Sequence, residues 1–402
     1  MTHPLHVNAL TRAIKPAATL VISARATELA AMGRKVFKFA AGQPDFAPPK
    51  PITEAVLAKL GGPVGYSQVP GFPELRDAIA AELSRFHQRS FTRRQIIVSS
   101  GAKHTLINLM MTTIEPGDEV VVPAPYWVSY PEMVRLAGGR AVCVACPRED
   151  RFKLTPARLE PALGPKTKWV ILNSPSNPTG MAYSAAELRA LGEVIARVAP
   201  QAWVMTDDIY RSLCYGDTPI VSACVAMQGT GIEDQIVPVD GVSKSHAMTG
   251  WRIGYLAAPE AVADGINALQ GQMTSGASTP AQWAAIAALT DPRVPAEVER
   301  MVEEFAARRT LMCEGLRASG LEFVEPDGAF YVFPEVTQLV GDGRRFADDL
   351  ELAKWMLEEH GLAVVPGGAF GAPGHLRLSF ATGRDEIAAG MAAFASAIAS
   401  LR

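Results

Sequence analysis

The chain has 402 residues, 48% hydrophobic and 20% charged, with a formal net charge of -3 and no long basic run; this allows one large and one smaller globular domain and gives no nucleic-acid surface. Charged residues interrupt the apolar stretches and the first residues form no apolar leader, so neither a membrane span nor export is expected. Five cysteines are too few and too odd to staple a chain of this size, so Cys143 and Cys146 read as core thiols on a strand, and the setting as cytoplasmic.

An amphipathic helix is expected near the start, then a turn at Lys15-Pro16, a helix over residues 18–31 and a short strand over 36–40. Gly42 lies in the loop that follows, where a glycine lets backbone amides approach a ligand closely. Helices are predicted over 51–60 and 73–86, separated by a breaker-rich loop, residues 61–71, that carries Tyr66. The apolar run 95–100 is a strand that passes through Gly101, Ala102 and Lys103 into a helix from about His104, a place where an anion sits well against free amides.

Strands follow at 119–123, 141–146, 168–173 and 203–207, alternating with helices at 130–137, 156–163 and 185–198. This rhythm indicates a mostly parallel sheet covered on both faces, with its functional groups at the strands' carboxyl ends. Trp127, Asn173, Asn177 and Asp207 all fall at such ends. Strands at 235–240 and 253–258 then flank a loop of small residues holding Ser243 and Lys244, with Arg252 eight positions beyond the lysine. An amine in such a loop can be kept neutral and attack a carbonyl, while the guanidinium grips a phosphate.

Beyond it come helices at 259–270, from 281, at 295–319, at 346–360 and at 384–398, with short strands at 323–325, 329–333 and 375–379. The change of rhythm suggests a small α+β domain. The expected division is 1–48 packing with that domain, 49–295 as the large domain and 296–402 as the small one. The glycine-rich run 367–371 lacks the strand–glycine–helix order of a dinucleotide loop.

Taken together, Pro125-Tyr126-Trp127, the run Asn173 to Gly180, Asp207 with Tyr210, the lysine loop and Arg377 in His375 to Ser379 are specific in combination. With them the chain resembles the fold-type I, pyridoxal-phosphate-dependent aminotransferases, and most of all the bacterial aspartate and prephenate aminotransferases of class I, over nearly its whole length. The resemblance implies an α/β fold, pyridoxal 5'-phosphate as cofactor, no metal, amino acids and 2-oxo acids as substrates, and a homodimer with shared active sites.

It also implies roles. Lys244 would form the Schiff base and shuttle the proton between substrate Cα and cofactor C4′. Asp207, rather than its neighbour Asp208, would keep the pyridine nitrogen protonated. Tyr210 and Asn177 would donate to the phenolic oxygen, and Trp127 would stack on the ring. Ala102, Lys103, Ser243 and Arg252 would hold the phosphate, joined by Tyr66 from a partner subunit. Arg377 would clamp the substrate α-carboxylate, assisted by Asn177 and the Gly42 backbone. His246 and His104 read as structural.

The distal end of the substrate is the open question. Lys103 and Thr19 match positions that hold a side-chain carboxylate in the aspartate enzymes, whereas Ala17 and Gln43 depart from the serine and glutamate common there. Aspartate with 2-oxoglutarate is the favoured pair; prephenate, aromatic or broad amino-acid specificity is the alternative. A lyase on the same scaffold is disfavoured, because an α-carboxylate clamped by Arg377 is badly aligned for decarboxylation.

Overall fold

The computed structural model describes residues 5–14, 18–216 and 220–401. Its centre is a seven-stranded sheet: β1 (Ile96–Ser99), β2 (Glu119–Ala124), β3 (Arg140–Ala145), β4 (Thr167–Asn173), β5 (Trp203–Asp207), β6 (Ile236–Gly241) and β7 (Gly254–Ala257). The spatial order is β1-β7-β6-β5-β4-β2-β3, and only β7 runs against its neighbours. The inner strands are continuous runs of Val, Ile, Leu and Met because both faces are covered. Val170, Val204 and Leu172 pack on one side, and Ile171, Met205 and Val239 on the other. A second, antiparallel sheet joins β8 (Tyr331–Val332), β9 (Val365–Pro366) and β10 (Leu376–Ser379) in the order β8-β10-β9.

Most elements lie where the sequence pattern puts them, and helices at Ala18–Ala31 and Ala185–Val198 coincide with the expected ranges. The latter is opened by a capping box in which the Ser184 side chain accepts from the Glu187 amide. Several boundaries move. The helix expected from His104 begins at Ala102. The helix expected from Phe346 begins at Asp349, because the Asp348 carboxylate caps the Glu351 amide at 2.9 Å. The strand expected at 36–40 is a single parallel bridge from Phe37 to Leu362, since the chain turns at once with Phe39 N–H donating to the Phe37 carbonyl. Residues 323–325 form no strand. The expected turn at Lys15-Pro16 lies outside the described residues.

Cys143 is exposed rather than a core thiol: it sits on β3, the sheet edge, where one face meets solvent, while Cys146 just beyond is buried. All five cysteines are free. Among the described residues no helix is long and apolar enough to cross a membrane.

The first and last parts of the chain meet in one core. Ala26, Leu29 and Ala40 pack with Leu357, Val365 and Phe370. Phe37 and Phe39 join Phe305, Phe330, Phe380 and Phe394 in the largest cluster. The segment carrying Gly42 is thereby held beside the strand carrying Arg377, and the Ser379 amide donates to the Phe39 carbonyl at 2.8 Å.

Backbone approach at one glycine shapes the site. A Cβ on Gly254 of β7 would lie 2.1 Å from the Ala102 amide nitrogen and 2.5 Å from the Gly101 carbonyl carbon, neither of which is a flexible end. Gly254→Ala is expected to cost ~1–3 kcal/mol, read as a lowered urea midpoint. Gly164→Ala, with nothing within 4 Å of the added methyl, is the control expected to stay near wild type.

Candidate active site

The carboxyl ends of β1, β2, β4, β5 and β6 open on one cavity of about 720 Å³. Lys244, three residues past β6, reaches its floor. Its Nζ donates to the Gly42 carbonyl at 2.6 Å. Part of the side chain still faces the cavity, yet burial lowers its pKa from 10.5 to about 8, helped by the nearby Arg252 and Arg377 guanidiniums and opposed by Asp207. A minority of the amine, far more than for an ordinary lysine, is therefore neutral near physiological pH.

Asp207 ends β5 and is 4% exposed. Burial raises its pKa to about 6 against the Tyr130 hydroxyl, which donates to Oδ2 at 2.6 Å, and the Ile209 amide at 3.3 Å. Asp208 points away, as alternation along an extended chain requires. It accepts from the Thr206 hydroxyl at 2.9 Å and does not line the cavity, and burial raises its pKa to about 8. Asn173 joins neighbouring loops by donating to the Asp207 carbonyl at 2.8 Å and accepting from the Asn177 amide at 2.9 Å.

Arg377 on β10 is 2% exposed. Its guanidinium donates to Asn177 Oδ1 at 3.0 Å and to the Ala40 carbonyl at 2.9 Å, and its centre lies 4.4 Å from the Tyr331 ring and 5.1 Å from the Phe370 ring. Its Nε has no hydrogen-bond partner, and no described carboxylate lies within ion-pair distance. A buried, unpaired guanidinium is costly unless a ligand anion completes it.

Opposite lies a cradle for a second anion. The helix Ala102–Thr113 starts two residues after β1, and its first residues, Ala102 and Lys103, line the cavity together with Ser243 and Arg252. Arg252 donates to the carbonyls of Thr249, at 3.0 Å, and Ser100, at 3.4 Å. A Cβ on Gly101, whose φ is +89°, would come within 2.4 Å of Arg252 Nη2, so only glycine admits the guanidinium here. Lys103 stands with Nζ 4.9 Å from the centre of the Trp127 ring, and burial and Arg252 lower its pKa.

Of the residues singled out from the sequence, the cavity thus gathers Lys244, Asp207, Tyr210, Asn177, Trp127 and Arg377, together with the Ala102–Lys103 turn, Ser243, Arg252, Gly42 and Thr19. Gln43 is also in its wall. Tyr66 is not in this wall; its side chain is fully exposed. Ala17 lies outside the described residues. His246 and His104 line no part of the cavity; they bond locally to the Ser245 hydroxyl at 2.7 Å and the Ser100 amide at 3.2 Å. Among the described residues no cluster of His, Cys, Asp or Glu could hold a metal ion.

Two tyrosines escaped the sequence reading. Tyr130, one helical turn after Trp127, bonds Asp207. Tyr331 brings its hydroxyl within 3.0 Å of the Tyr210 hydroxyl. Only the spacing from Trp127 to Tyr130 was a usable signal; Tyr331 carried none. The donor set fits pyridoxal phosphate: an amine that can be neutral, a carboxylate at the far side, two hydroxyl and amide donors, a flat indole and an anion cradle.

Comparison with known proteins agrees. The model of the family "Aminotransferase class I and II" matches residues 34–393. A probable aspartate/prephenate aminotransferase of Rhizobium leguminosarum bv. phaseoli is 44% identical over 94% of this chain and 95% of its own. The aspartate aminotransferase of Geobacillus stearothermophilus is 42% identical over 93% and 94%. Among solved structures, the Thermus thermophilus aspartate aminotransferase with maleate superposes with a TM-score of 0.91 at 38% identity, covering 98% of this chain and 100% of its own. That of Rhizobium meliloti gives 0.93 at 36%, covering 99% and 100%. The chain belongs to the class I and II aminotransferases, and its cofactor is pyridoxal phosphate.

Proposed function

We propose that the enzyme transfers the amino group between aspartate and 2-oxoglutarate, with Lys244 as the base and Arg377 and Lys103 gripping the two ends of a dicarboxylate. The observation that carries this is charge: Arg377 and Lys103 both line the cavity, and neither has a carboxylate partner within ion-pair distance among the described residues. A dicarboxylic amino acid completes both. The Thermus structure was obtained with maleate, itself a dicarboxylate.

Pyridoxal phosphate supplies an aldehyde that condenses with amines and a ring that accepts electrons from the substrate Cα. The protein does the rest. The Ala102 and Lys103 amides, Ser243 and Arg252 would hold the phosphate. Asp207, bonded by Tyr130, would keep the pyridine nitrogen protonated, and Trp127 would stack on the ring. Tyr210 and Asn177 would donate to the phenolic oxygen. Arg377 orients the α-carboxylate with help from Asn177 and Gly42, which aims the Cα–H at Lys244 Nζ. That amine, about half neutral at a pH near 8, would carry the proton between the substrate Cα and the cofactor C4′. Thr19 shares the distal carboxylate with Lys103.

We assign 49–295 to the cofactor-binding domain and 1–48 with 296–402 to a smaller unit closing over substrate. We also assign the exposed Tyr66 to the phosphate of a second copy in a homodimer. Prephenate is the second reading, because the Rhizobium leguminosarum relative carries it in its name.

Rapid mixing of the cofactor-loaded enzyme with aspartate, phenylalanine or arogenate, followed by absorbance, tests the substrate. Aspartate is expected to react fastest. Lys103→Met is expected to lower its kcat/KM about 10–100-fold while moving phenylalanine by less than about threefold. A fast arogenate reaction with sluggish aspartate would transfer the assignment to prephenate chemistry.

Capture of cofactor by the cofactor-free protein needs the neutral amine. Because the Lys244 pKa is lowered to about 8, the neutral fraction grows as pH rises to that value and saturates above it. Stopped-flow absorbance with pyridoxal phosphate is expected to show the capture rate rising from pH 6 to about 8 and levelling off by about 9, rather than continuing to climb toward 10.5.

A further inference from the structure

Tyr331 belongs to neither of the groups assigned above, yet it touches both. It is fully buried on β8 and lines the cavity. In the small sheet Tyr331 pairs with Ser379, so Arg377, two residues along the same strand, is its diagonal neighbour on the same face. This register lays the guanidinium 4.4 Å from the centre of the Tyr331 ring. The hydroxyl at the other end of that ring reaches across to the large sheet and meets the Tyr210 hydroxyl at 3.0 Å. Phe330 packs against both tyrosines, with ring centroids 5.6 Å from Tyr210 and 4.6 Å from Tyr331. A Cβ built on Gly42 would stand 3.7 Å from the Tyr331 hydroxyl oxygen, an ordinary contact distance, so the Gly42 backbone packs close to that hydroxyl.

We propose that Tyr331 is a positioning residue that joins the carboxylate clamp to the cofactor's phenolic oxygen, its ring seating Arg377 and its hydroxyl donating to Tyr210. The inference rests on the assigned bond from Tyr210 to that oxygen. Two phenols within bonding distance share one hydrogen between them and leave the other free. The Arg377 cation lies against the Tyr331 ring and makes that phenol the better donor, so the Tyr210 hydrogen is left for the phenolic oxygen. Consistent with this order, burial raises both phenols, and the contact between them raises Tyr210 further while Arg377 and that same bond act to lower Tyr331. A carboxylate arriving at Arg377 offsets its charge, weakens the Tyr331 donor and so reaches the cofactor through two hydroxyls.

The test is a spectrophotometric pH titration of the cofactor-loaded enzyme with and without maleate, for wild type, Tyr331→Phe, Tyr331→Leu and Tyr210→Phe. A donor to the phenolic oxygen favours its anion and lowers the absorbance pKa. Tyr331→Phe is therefore expected to raise that pKa by about half to one pH unit, and to shrink its displacement by saturating maleate. It should leave the maleate Kd within about twofold of wild type, whereas Tyr331→Leu, which loses the ring, binds maleate about tenfold more weakly. If Tyr210→Phe raises the pKa and Tyr331→Phe leaves it in place or lowers it, the Tyr331 link is wrong and the Tyr210 role stands. If Tyr210→Phe does not move it, both fall. Wild-type maleate affinity in Tyr331→Leu would remove the ring from the clamp.

Discussion

Five cations and a single carboxylate line one cavity: Lys38, Lys103, Lys244, Arg252 and Arg377 face Asp207. Such an imbalance is unfavourable in a folded chain, and the protein offsets it with carbonyls and rings in place of counter-charges. Gly42 accepts from Lys244, Ala40 and Asn177 from Arg377, and Thr249 from Arg252. The rings of Trp127, Tyr331 and Phe370 lie against the remaining positive faces. The same crowding does chemical work. It draws in phosphate and carboxylates, and it adds to the burial that lowers the Lys244 pKa to about 8. Anion binding and base strength thus have one electrostatic origin.

The fold converts that chemistry into geometry. Parallel strands end together, so Gly101, Trp127, Asn173, Asp207 and the Lys244 loop converge although they are widely separated in the chain. The reversed β7 passes close behind the start of the Ala102–Thr113 helix, which is why Gly254 admits no side chain. Arg377 comes from the other sheet, and its partners Ala40 and Asn177 come from two further segments. The clamp therefore exists only when the N-terminal segment, the large sheet and the small sheet are assembled together.

Much of this was legible in the sequence because the signals are local. Strands 168–173 and 203–207 centre on the apolar runs Trp169–Leu172 and Trp203–Met205, and the helix over 185–198 carries its own cap. The lysine loop, the Asn173–Gly180 run and Arg377 are recognisable as short motifs. The small sheet was harder, because β8 and β9 hold two residues each and exist through their pairing with β10. Residues 36–40 have strand-like residues but only one bridge to make. Tyr130 and Tyr331 were missed for a related reason. Their hydroxyls act across 77 and 121 positions of sequence; the spacing of Tyr130 from Trp127 was the one local signal, and nothing local distinguishes Tyr331 from an ordinary core residue.

The central claim is that the amine of Lys244 is the group that carries the cofactor. Borohydride reduction of the loaded enzyme, followed by proteolysis and peptide mass analysis, tests it directly. The reduced cofactor mass is expected on the peptide containing Lys244, and Lys244→Ala is expected to retain no reducible adduct. A modified Lys103, or a modified Lys244→Ala chain, would contradict the assignment.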